Sequence, residues 1–341
     1  MKMEMKKIIA AFLAAVSVMS GCGKNDKEVF TSAEEKPIEQ DYKGFTVSGN
    51  KLLDANGEEF VMRGINHSHT WFKKDTKTAV PAIAETGANT VRIVLSNGYQ
   101  WQKDTADEVV EVVELCKENK LVTILEVHDG TGKDDPAVLE EIGDYWIEIK
   151  DVLIGNEDSV ILNIANEWYG QWGGEEWAKA YVSVIPKIRE AGIKNTIMVD
   201  SAGWGQYGQS VADYGKQIFE ADELRNTMFS IHMYGSAGGS KGKIRKNIDG
   251  ALDKGLCLVI GEFGYNHSDG DVDEQFIMDY CTEKKVGYLG WSWKGNSGGV
   301  EYLDIAKDWK GAALSSDWGE VLINGKNGIK ETSEICSIFR K

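Results

Sequence analysis

Residues 121–127 read LVTILEV and residues 160–165 read VILNIA, two short apolar runs rich in β-branched and aliphatic side chains. Between them lies a longer segment, residues 137–154, whose apolar side chains recur at helical spacing. Strands that are apolar on both faces are typical of a parallel sheet, in which helices cover the sheet on either side. These residues therefore predict a strand, a helix and a second, parallel strand.

The same alternation extends in both directions along the chain. The predicted strands are residues 60–64 (FVMRG), 89–94 (NTVRIV), 121–127, 160–165, 196–200 (TIMVD), 228–232 (MFSIH), 258–262 (LVIGE) and 287–293 (GYLGWSW). The predicted helices include residues 78–87, 106–120, 137–154, 175–191, 242–254 and 273–284. Eight β-then-α units predict an α/β fold, a single (β/α)8 TIM barrel. Before the first unit, FTV (45–47) and KLL (51–53) flank Ser-Gly-Asn and predict a β-hairpin that closes the barrel floor.

Composition agrees with one large folded domain. The chain has 341 residues, 42% of them hydrophobic, and a formal net charge of −16. This composition excludes a disordered, collagen-like or coiled-coil chain. A strongly acidic surface repels nucleic acid, anionic lipid and polyanionic polysaccharides, so we expect a neutral partner and no nucleic acid. We expect the chain to act as a monomer.

The N-terminal residues predict export rather than fold. Three lysines within residues 1–7 precede an uncharged apolar run, residues 8–19, that is too short to span a membrane. The following Met-Ser-Gly-Cys resembles the lipobox of bacterial lipoproteins, in which the cysteine, here Cys22, becomes the lipidated N-terminus. The predicted domains are a signal peptide (1–21), a flexible tether (22–41) and a catalytic domain (42–341). The predicted location is the cell envelope, at the outer membrane or cell surface, after export across the inner membrane. An ordinary secretory signal is the alternative.

The other cysteines indicate neither a metal site nor a dense disulfide framework. Cys116, Cys257, Cys281 and Cys336 are widely spaced, without a CxxC pair. Buried free thiols are the expected state, and one disulfide is the alternative.

Two glutamates follow predicted strands at the end of the barrel where active sites lie. Glu167 comes just after the fourth strand and Glu262 ends the seventh. Two carboxylates about 5–5.5 Å apart are what glycoside hydrolysis with retention requires, one as acid/base and one as nucleophile. Asn166 is suited to hydrogen-bonding a sugar hydroxyl, and Arg92 is suited to holding Glu262 ionised and aligned.

Further candidate residues lie at the same strand ends. His232 ends the sixth strand and Tyr234 follows it, so a phenol is available to donate to the nucleophile and an imidazole to orient the network. Indole rings stack on sugar faces, and six of the 11 tryptophans fall at strand ends or in the following loops. They are Trp71, Trp168, Trp172, Trp204, Trp291 and Trp293. Trp291 and Trp293 share a strand face, so at least one of them is expected to fill the core.

Several segments together resemble glycoside hydrolase family 5, and within it the bacterial endo-β-1,4-mannanases. The matching segments are FVMRGINHSHTWF (60–72), GANTVRIVLSNG, LEVHD, NIANEWYG, MVDSAGWGQYGQS, FSIHMY, LVIGEFG and WSWKGN. The resemblance implies that Glu167 is the acid/base and Glu262 the nucleophile. It assigns Arg92, His128, Asn166, His232, Tyr234 and Trp291 to the surrounding catalytic set. Trp71, Trp168 and Trp204 are further candidate sugar contacts because of their position at predicted strand ends and loops. The resemblance also implies a cis peptide bond between Trp291 and Ser292, whereas the small Ser-Gly-Gly-Val loop (297–300) departs from the family by its lack of aromatic residues.

The implied reaction is a double displacement on a β-mannan chain, without a metal or organic cofactor. Glu262 attacks the anomeric carbon, and Glu167 protonates the departing oxygen. We expect the pKa of Glu167 to be raised by the neighbouring negative charge.

Three alternatives remain at this point. His67-Ser68-His69 is the His-x-His pattern of metal-dependent amidohydrolase barrels, although that class needs a Lys after strand four and a His after strand five, where this chain has Asn166-Glu167 and Asp200. A surface lipoprotein that captures polysaccharide without cleaving it is the second. The third is β-1,4-endoglucanase activity, since the same two glutamates cleave glucan in relatives and no single residue decides the sugar.

Overall fold

The computed structural model describes residues 43–340, in which eight parallel strands close into a barrel. The predicted signal peptide and the whole of the predicted tether, including Cys22, lie outside these residues, so the predicted domain boundaries stay predictions. Each barrel strand pairs with its neighbour in chain order, and the last also pairs with the first. The predicted (β/α)8 TIM barrel is confirmed.

The bounds of the elements follow the order of the chain. The strands are β1 (Thr46–Ser48), β2 (Lys51–Leu53), β3 (Arg63–His67), β4 (Thr90–Leu95), β5 (Val122–Val127), β6 (Val160–Asn163), β7 (Ile197–Asp200), β8 (Thr227–Met233), β9 (Leu258–Phe263), β10 (Asn266–His267), β11 (Gly270–Asp271) and β12 (Gly287–Gly290). The helices are α1 (Thr76–Glu85), α2 (Ala106–Glu118), α3 (Pro136–Glu148), α4 (Glu175–Glu190), α5 (Gly208–Ala221), α6 (Gly235–Gly238), α7 (Lys241–Leu252), α8 (Glu274–Lys284), α9 (Gly319–Asn324) and α10 (Ile329–Thr332). Short 3-10 helices span His69–Trp71, Lys150–Val152, Glu301–Leu303 and Ser337–Phe339.

The hairpin of β1 and β2 closes the floor of the barrel, as predicted. The backbone N–H of Val47 donates to Asn226 Oδ1 at 3.0 Å, and Thr196 Oγ1 donates to the carbonyl of Phe45 at 3.0 Å. Thr196 and Asn226 immediately precede β7 and β8, so these contacts lie at the N-terminal end of the barrel. The opposite end is left open, and the residues that follow each strand meet there.

The outer helices are held by a buried apolar face and by caps at their ends. In α2, Thr105 and Glu108 form a capping box in which each side chain accepts a hydrogen bond from the other's backbone N–H. Val109, Val113 and Cys116 of this helix are buried against the barrel. Burying a side chain the size of valine contributes about 1.5–3 kcal/mol, so packing outweighs the cap.

Several elements differ from the sequence expectation, and three of them concern the barrel and its surrounding helices. The first barrel strand begins at Arg63 rather than Phe60, because Phe60 and Met62 pack in the core of the floor with the hairpin. The last strand ends at Gly290 instead of residue 293. Helix α5 was not predicted, because its glycines obscure the helical period; a Cβ at Gly215 would lie 2.7 Å from Leu256 Cδ1.

The four cysteines of the described residues are buried free thiols, so the expected state is found and the alternative of a disulfide is not. Burial raises the pKa of each of these thiols to about 12. Within residues 43–340, every helix is too short or too polar to cross a bilayer.

Candidate active site

Arg92 lies at the centre of a buried polar layer just below the mouth of the barrel. Its side chain is fully buried on β4. Nε donates to Asn163 Oδ1 at 2.9 Å, Nη1 to Asn66 Oδ1 at 3.0 Å, and Nη2 to Asn166 Oδ1 at 2.8 Å. A buried charge is tolerated only when it is paired and hydrogen-bonded, and these amides supply part of that compensation. The guanidinium is thereby fixed in one orientation, with Nη1 directed at Glu262.

Both oxygens of the Glu262 carboxylate are held. Oε1 accepts from Arg92 Nη1 at 2.8 Å, and Oε2 accepts from the hydroxyl of Tyr234 at 2.9 Å. Burial raises the pKa of Glu262, while His232 and Arg92 act in the opposite direction. The contacts expected from Arg92 and Tyr234 are present, and the part they play in catalysis stays a prediction.

Glu167 is presented by a constrained turn after β6. Its φ of 43° is in the left-handed region, which residues with a side chain seldom adopt. Its backbone N–H donates to Asp200 Oδ2 at 3.0 Å, and its Oε1 is hydrogen-bonded to His232 Nδ1 at 2.6 Å. The backbone of Glu167 is therefore held by a residue of β7, and its side chain by a residue of β8.

The two carboxylates lie close enough for a double displacement. One oxygen of Glu167, one oxygen of Glu262 and a ring nitrogen of His232 all lie within 4.8 Å of one another. Retaining glycosidases keep their carboxyl groups about 5–5.5 Å apart, whereas inverting enzymes need about 6.5–9.5 Å to admit a water molecule. The same three side chains have the spacing of metal ligands, but the guanidinium of Arg92 already supplies a cation at 2.8 Å from Glu262.

The electrostatic surroundings make Glu167 the acid of the pair. Burial raises the pKa of Glu167 to about 8, and the charges of Asp200 and Glu126 add to that rise. His128 and Arg92 oppose it. The expectation that neighbouring negative charge is the cause is therefore corrected, because loss of water around the carboxyl group has the larger effect. At neutral pH most of the Glu167 side chains carry a proton.

His232 is neutral and is held by a close backbone contact. Burial lowers the pKa of His232, although Glu262 and Asp200 favour the charged ring. The backbone N–H of His232 donates to the carbonyl of Gly205 at 2.7 Å. A Cβ at Gly205, which has a φ of +70°, would lie 2.7 Å from the imidazole ring. Only glycine allows the loop to approach the ring this closely.

A second histidine pairs with a carboxylate that the sequence analysis missed. His128 Nδ1 lies 3.0 Å from Glu126 Oε1. Burial is the largest single effect and lowers the pKa of His128, but the charge and hydrogen bond of Glu126 and the charge of Glu262 together outweigh it, so the net shift is upward. Asn166 Nδ2 donates to Thr131 Oγ1 at 2.9 Å and lies 3.4 Å from His128 Nε2. Both polar atoms of the Asn166 amide are thus bonded within the protein.

Aromatic rings continue from this network toward the solvent. The indole of Trp291 stacks on His128 with 5.7 Å between ring centroids, and its Nε1 donates to Asn296 Oδ1 at 3.0 Å. Trp71 meets His128 edge-on at 5.1 Å, and Trp101 meets Trp71 edge-on at the same distance. The Trp291–Ser292 peptide bond is cis, as the resemblance implied.

Two further tryptophans are exposed. Trp204 is 47% exposed, and its ring lies over Gly132, where a Cβ would come within 2.1 Å of it. Trp172, 56% exposed, packs edge-on against Tyr207 at 5.5 Å. Such surfaces are available for stacking on a sugar ring.

The prediction that Trp168 contacts substrate is wrong. Its side chain is 1% exposed, its Nε1 donates to the carbonyl of Asp135 at 3.2 Å, and its ring packs against Tyr181. Asp135 caps α3 and Tyr181 belongs to α4, so the indole fills the layer between barrel and helices. Trp293 is also buried and donates to the carbonyl of Trp309, which confirms that one member of the Trp291 and Trp293 pair fills the core.

The His-x-His pattern has a structural explanation. His67 Nε2 and His69 Nδ1 lie 2.9 and 2.7 Å from the same atom, Thr76 Oγ1 of α1. Burial lowers the pKa of His67 to about 3, so this ring is neutral. Both rings pack within the first βα unit and hold it together.

Sequence reasoning missed the polar groups that support the catalytic pair. They are Asn66, Glu126, Thr131, Asn163 and Asp200. A usable signal existed for Glu126, which precedes His128 by two residues and so shares its strand face. Asp200 ends a strand, and this position was a signal that could have identified it.

The comparisons place this site in a known family. The family model described as "Cellulase (glycosyl hydrolase family 5)" matches residues 53–297, a segment that includes both glutamates. The chain is 58% identical over 296 residues to the mannan endo-1,4-beta-mannosidase of Salipaludibacillus agaradhaerens, covering 87% of this chain and 96% of that protein.

Another relative and a solved structure agree. The mannan endo-1,4-beta-mannosidase of Streptomyces lividans is 43% identical over 300 residues, which cover 87% of this chain and 78% of the relative. The mannohexaose complex of the Thermomonospora fusca β-mannanase superposes with a TM-score of 0.82 at 42% identity, covering 87% of this chain and all of that one.

Proposed function

Because the chain belongs to glycosyl hydrolase family 5, we propose that it is an endo-acting β-1,4-mannanase that cleaves internal bonds of mannan, glucomannan or galactomannan with retention of configuration. The central observation is the pair Glu167 and Glu262, whose carboxylate oxygens come within 4.8 Å of each other. The fold places this pair at the open end of the barrel, where a polysaccharide chain has access.

In the first step Glu262 forms a bond to the anomeric carbon of a mannosyl unit while the glycosidic bond breaks. The Glu167 carboxyl group gives its proton to the departing oxygen, so the leaving sugar departs as a neutral alcohol. Arg92 and Tyr234 hold the two oxygens of Glu262, which fixes the direction of attack.

In the second step water releases the covalent glycosyl-enzyme. The charge of Glu262 is now consumed in an ester, so the pKa of Glu167 falls and its carboxylate can take a proton from water. The resulting hydroxide equivalent attacks the anomeric carbon, and Glu262 leaves as a carboxylate. Two inversions give net retention, and no step requires a metal or an organic cofactor.

The relatives support mannan rather than glucan as the substrate. Those named above are mannan endo-1,4-beta-mannosidases, and one solved structure holds mannohexaose. Trp291 stacked on His128, together with the exposed ring of Trp204, offers aromatic faces for sugar stacking.

The test compares wild type with Glu262→Ala and with Glu283→Ala, which removes an exposed carboxylate from α8. Each protein is incubated with linear β-1,4-mannan and with soluble β-1,4-glucan while reducing ends and oligosaccharide sizes are followed. We expect internal cleavage of mannan by wild type and Glu283→Ala alone, with the β-anomer as the first product by proton NMR. Faster cleavage of glucan than of mannan would overturn the assignment of mannan as the substrate. Binding without cleavage would favour the alternative of a lipoprotein that captures polysaccharide.

We also propose that the protein is exported and anchored by a lipid on Cys22 at the cell envelope. The support is the N-terminal sequence alone: the lysines, the apolar run and the lipobox-like Met-Ser-Gly-Cys. One lipid-modified cysteine before a polar tether would hold the barrel near a membrane that its own acidic surface does not attract.

Metabolic labelling with a radioactive fatty acid tests the anchor. Wild type should take up label and fractionate with membranes, whereas Cys22→Ala should do neither; label in Cys22→Ala would refute the assignment. We further propose that the protein is a monomer, which light scattering of the detergent-solubilised chain checks.

A further inference from the structure

The loop of residues 96–104, which joins β4 to α2, is closed at its base but has little regular structure. At its base, the N–H of Ser96 donates to Asp104 Oδ2 at 2.8 Å, and the N–H of Asp104 donates to the carbonyl of Ser96 at 2.9 Å. Between these residues the chain forms bends, with no strand pairing and no helix. The conformation of this 96–104 loop must therefore be fixed from elsewhere.

Asp129, in the next βα loop, supplies that fixation. Its fully buried carboxylate accepts from Ser96 Oγ at 3.1 Å, the N–H of Gln100 at 2.5 Å and the N–H of Asn97 at 3.2 Å. The N–H of Trp101 lies 3.4 Å from the same carboxylate, and Gln100 Nε2 donates to the Asp129 carbonyl. Hydrogen bonds from several backbone N–H groups to one carboxylate are stronger than neutral ones. The Asp129 carboxylate thus contacts four residues of the 96–104 loop and holds that part of the loop in one conformation.

This loop presents Trp101 to the aromatic wall of the cleft. The ring of Trp101 lies 5.1 Å from Trp71 and 6.0 Å from His128, and His128 stacks on Trp291. Trp101, Trp71 and His128 therefore form one cluster of rings, which His128 joins to Trp291.

We propose that Asp129 is a positioning residue, which acts through the 96–104 loop and Trp101 to form an outer sugar-binding part of the cleft. This inference rests on the mannanase function proposed above and deepens it. Within the described residues, Asp129 makes no hydrogen bond or ion pair with Glu167 or Glu262, so we expect its effect to fall on binding of long substrates. Losing an interaction that stabilises the bound substrate and the transition state equally raises KM and leaves kcat unchanged.

The experiment uses Asp129→Asn, Trp101→Ala and the double variant, with Asp134→Asn as the control. Asparagine at 129 would place an amide donor against the donating N–H groups of the loop. Asp134 is exposed and lies five residues further along, where it accepts only from Gln171 within the described residues. Hydrolysis of mannohexaose and of mannotriose is measured for each protein as kcat and KM.

We expect Asp129→Asn to raise the KM for mannohexaose about tenfold, the effect of losing one aromatic contact, with kcat changed less than about twofold. For mannotriose, kcat/KM should change less than about twofold. The double variant should be no worse than Trp101→Ala, because both changes remove the same contact. Asp134→Asn should match wild type on both substrates.

Other outcomes overturn the inference. Equal losses on both substrates would mean that Asp129 supports the fold generally, and additive losses in the double variant would mean that it acts independently of Trp101. If Asp129→Asn does not fold, Gln100→Ala, which removes one exposed amide from the same network, must still raise the mannohexaose KM selectively. Failure of wild type to cleave either oligosaccharide would overturn the proposed function itself, a result distinct from any of these.

Discussion

Replacing Glu167 by Gln should separate proton donation from the rest of catalysis. The substitution keeps the shape of the side chain and its reach to His232 Nδ1 but removes the proton that the leaving oxygen needs. General acid catalysis contributes about 10²–10⁴-fold, so hydrolysis of mannan should slow by that factor. An activated leaving group such as dinitrophenolate needs no proton, and bond cleavage in a dinitrophenyl β-mannobioside should change far less.

The pKa of Glu167 gives the pH dependence of the same reaction. With a pKa of about 8, roughly 90% of the free enzyme is protonated at pH 7 and roughly 10% at pH 9. The kcat/KM for mannan in wild type should therefore fall about tenfold from pH 7 to pH 9. On the acid side, activity should be lost as Glu262 is protonated, at a pKa above its ordinary 4.5 because of burial.

The assay is kcat/KM from pH 4 to pH 10 on both substrates for wild type, Glu167→Gln and the exposed control Glu283→Gln. In Glu167→Gln the basic limb should vanish on the dinitrophenyl substrate, and azide should accelerate turnover by replacing water in the second step. A basic limb near pH 8 that persists in Glu167→Gln would assign it to another group. Equal losses on both substrates would refute the role of Glu167 as acid.

Three further predictions follow from individual contacts. Tyr234→Phe removes the donor 2.9 Å from Glu262 Oε2, so kcat on mannan should fall about 10²-fold with the melting temperature unchanged; an unchanged kcat would show that Arg92 alone orients the nucleophile. The pKa of Glu167 is raised in the folded state, so its contribution to stability is complete below about pH 4.5 and is lost as pH rises through about 8. The melting temperature of Glu167→Gln relative to wild type should therefore increase from pH 4.5 to pH 9, and a constant difference would contradict the raised pKa. Arg189→Met leaves buried Asp222 without its two 2.8 Å contacts, so the free energy of unfolding in urea should fall by about 3–5 kcal/mol; a change below about 1 kcal/mol would mean that water compensates the carboxylate.

The sequence predicted those parts of the site that depend on strand position. Glu167 and Glu262 were found because the C-terminal ends of parallel strands meet at one end of a barrel, whatever the details of the loops. Tyr234 was found for the same reason, since it directly follows β8, whereas Arg92 was expected near a strand end and lies in the middle of β4. The apolar pattern that marks a strand is read from a few consecutive residues, and it is sufficient to place the residues at the end of that strand.

The parts that depend on side-chain direction and loop conformation were not predicted. Trp168 follows Glu167 directly, yet it turns into the helical layer and reaches the carbonyl of Asp135, because the turn with a φ of 43° at Glu167 redirects the chain. Asp129 was overlooked because its partners lie some 30 residues earlier, in a loop without periodicity. The cause of the pKa shift at Glu167 was misjudged because burial is a property of the assembled barrel and not of neighbouring residues in the sequence.

The different roles of Glu167 as acid and Glu262 as nucleophile follow from their different contacts with the guanidinium of Arg92. Arg92 is the guanidinium at the centre of the site, and Glu126, Asp200 and Glu262 all lie within 3.7 Å of it. Glu262 takes the 2.8 Å contact and a phenol hydroxyl besides, which favours its ionised form. Glu167 is hydrogen-bonded to a neutral imidazole instead, and its backbone N–H is directed at Asp200, so its charged form has little support. Both carboxylates are largely removed from solvent, and the contact with Arg92 distinguishes them. Exchanging the two roles would therefore require moving the guanidinium rather than either carboxylate.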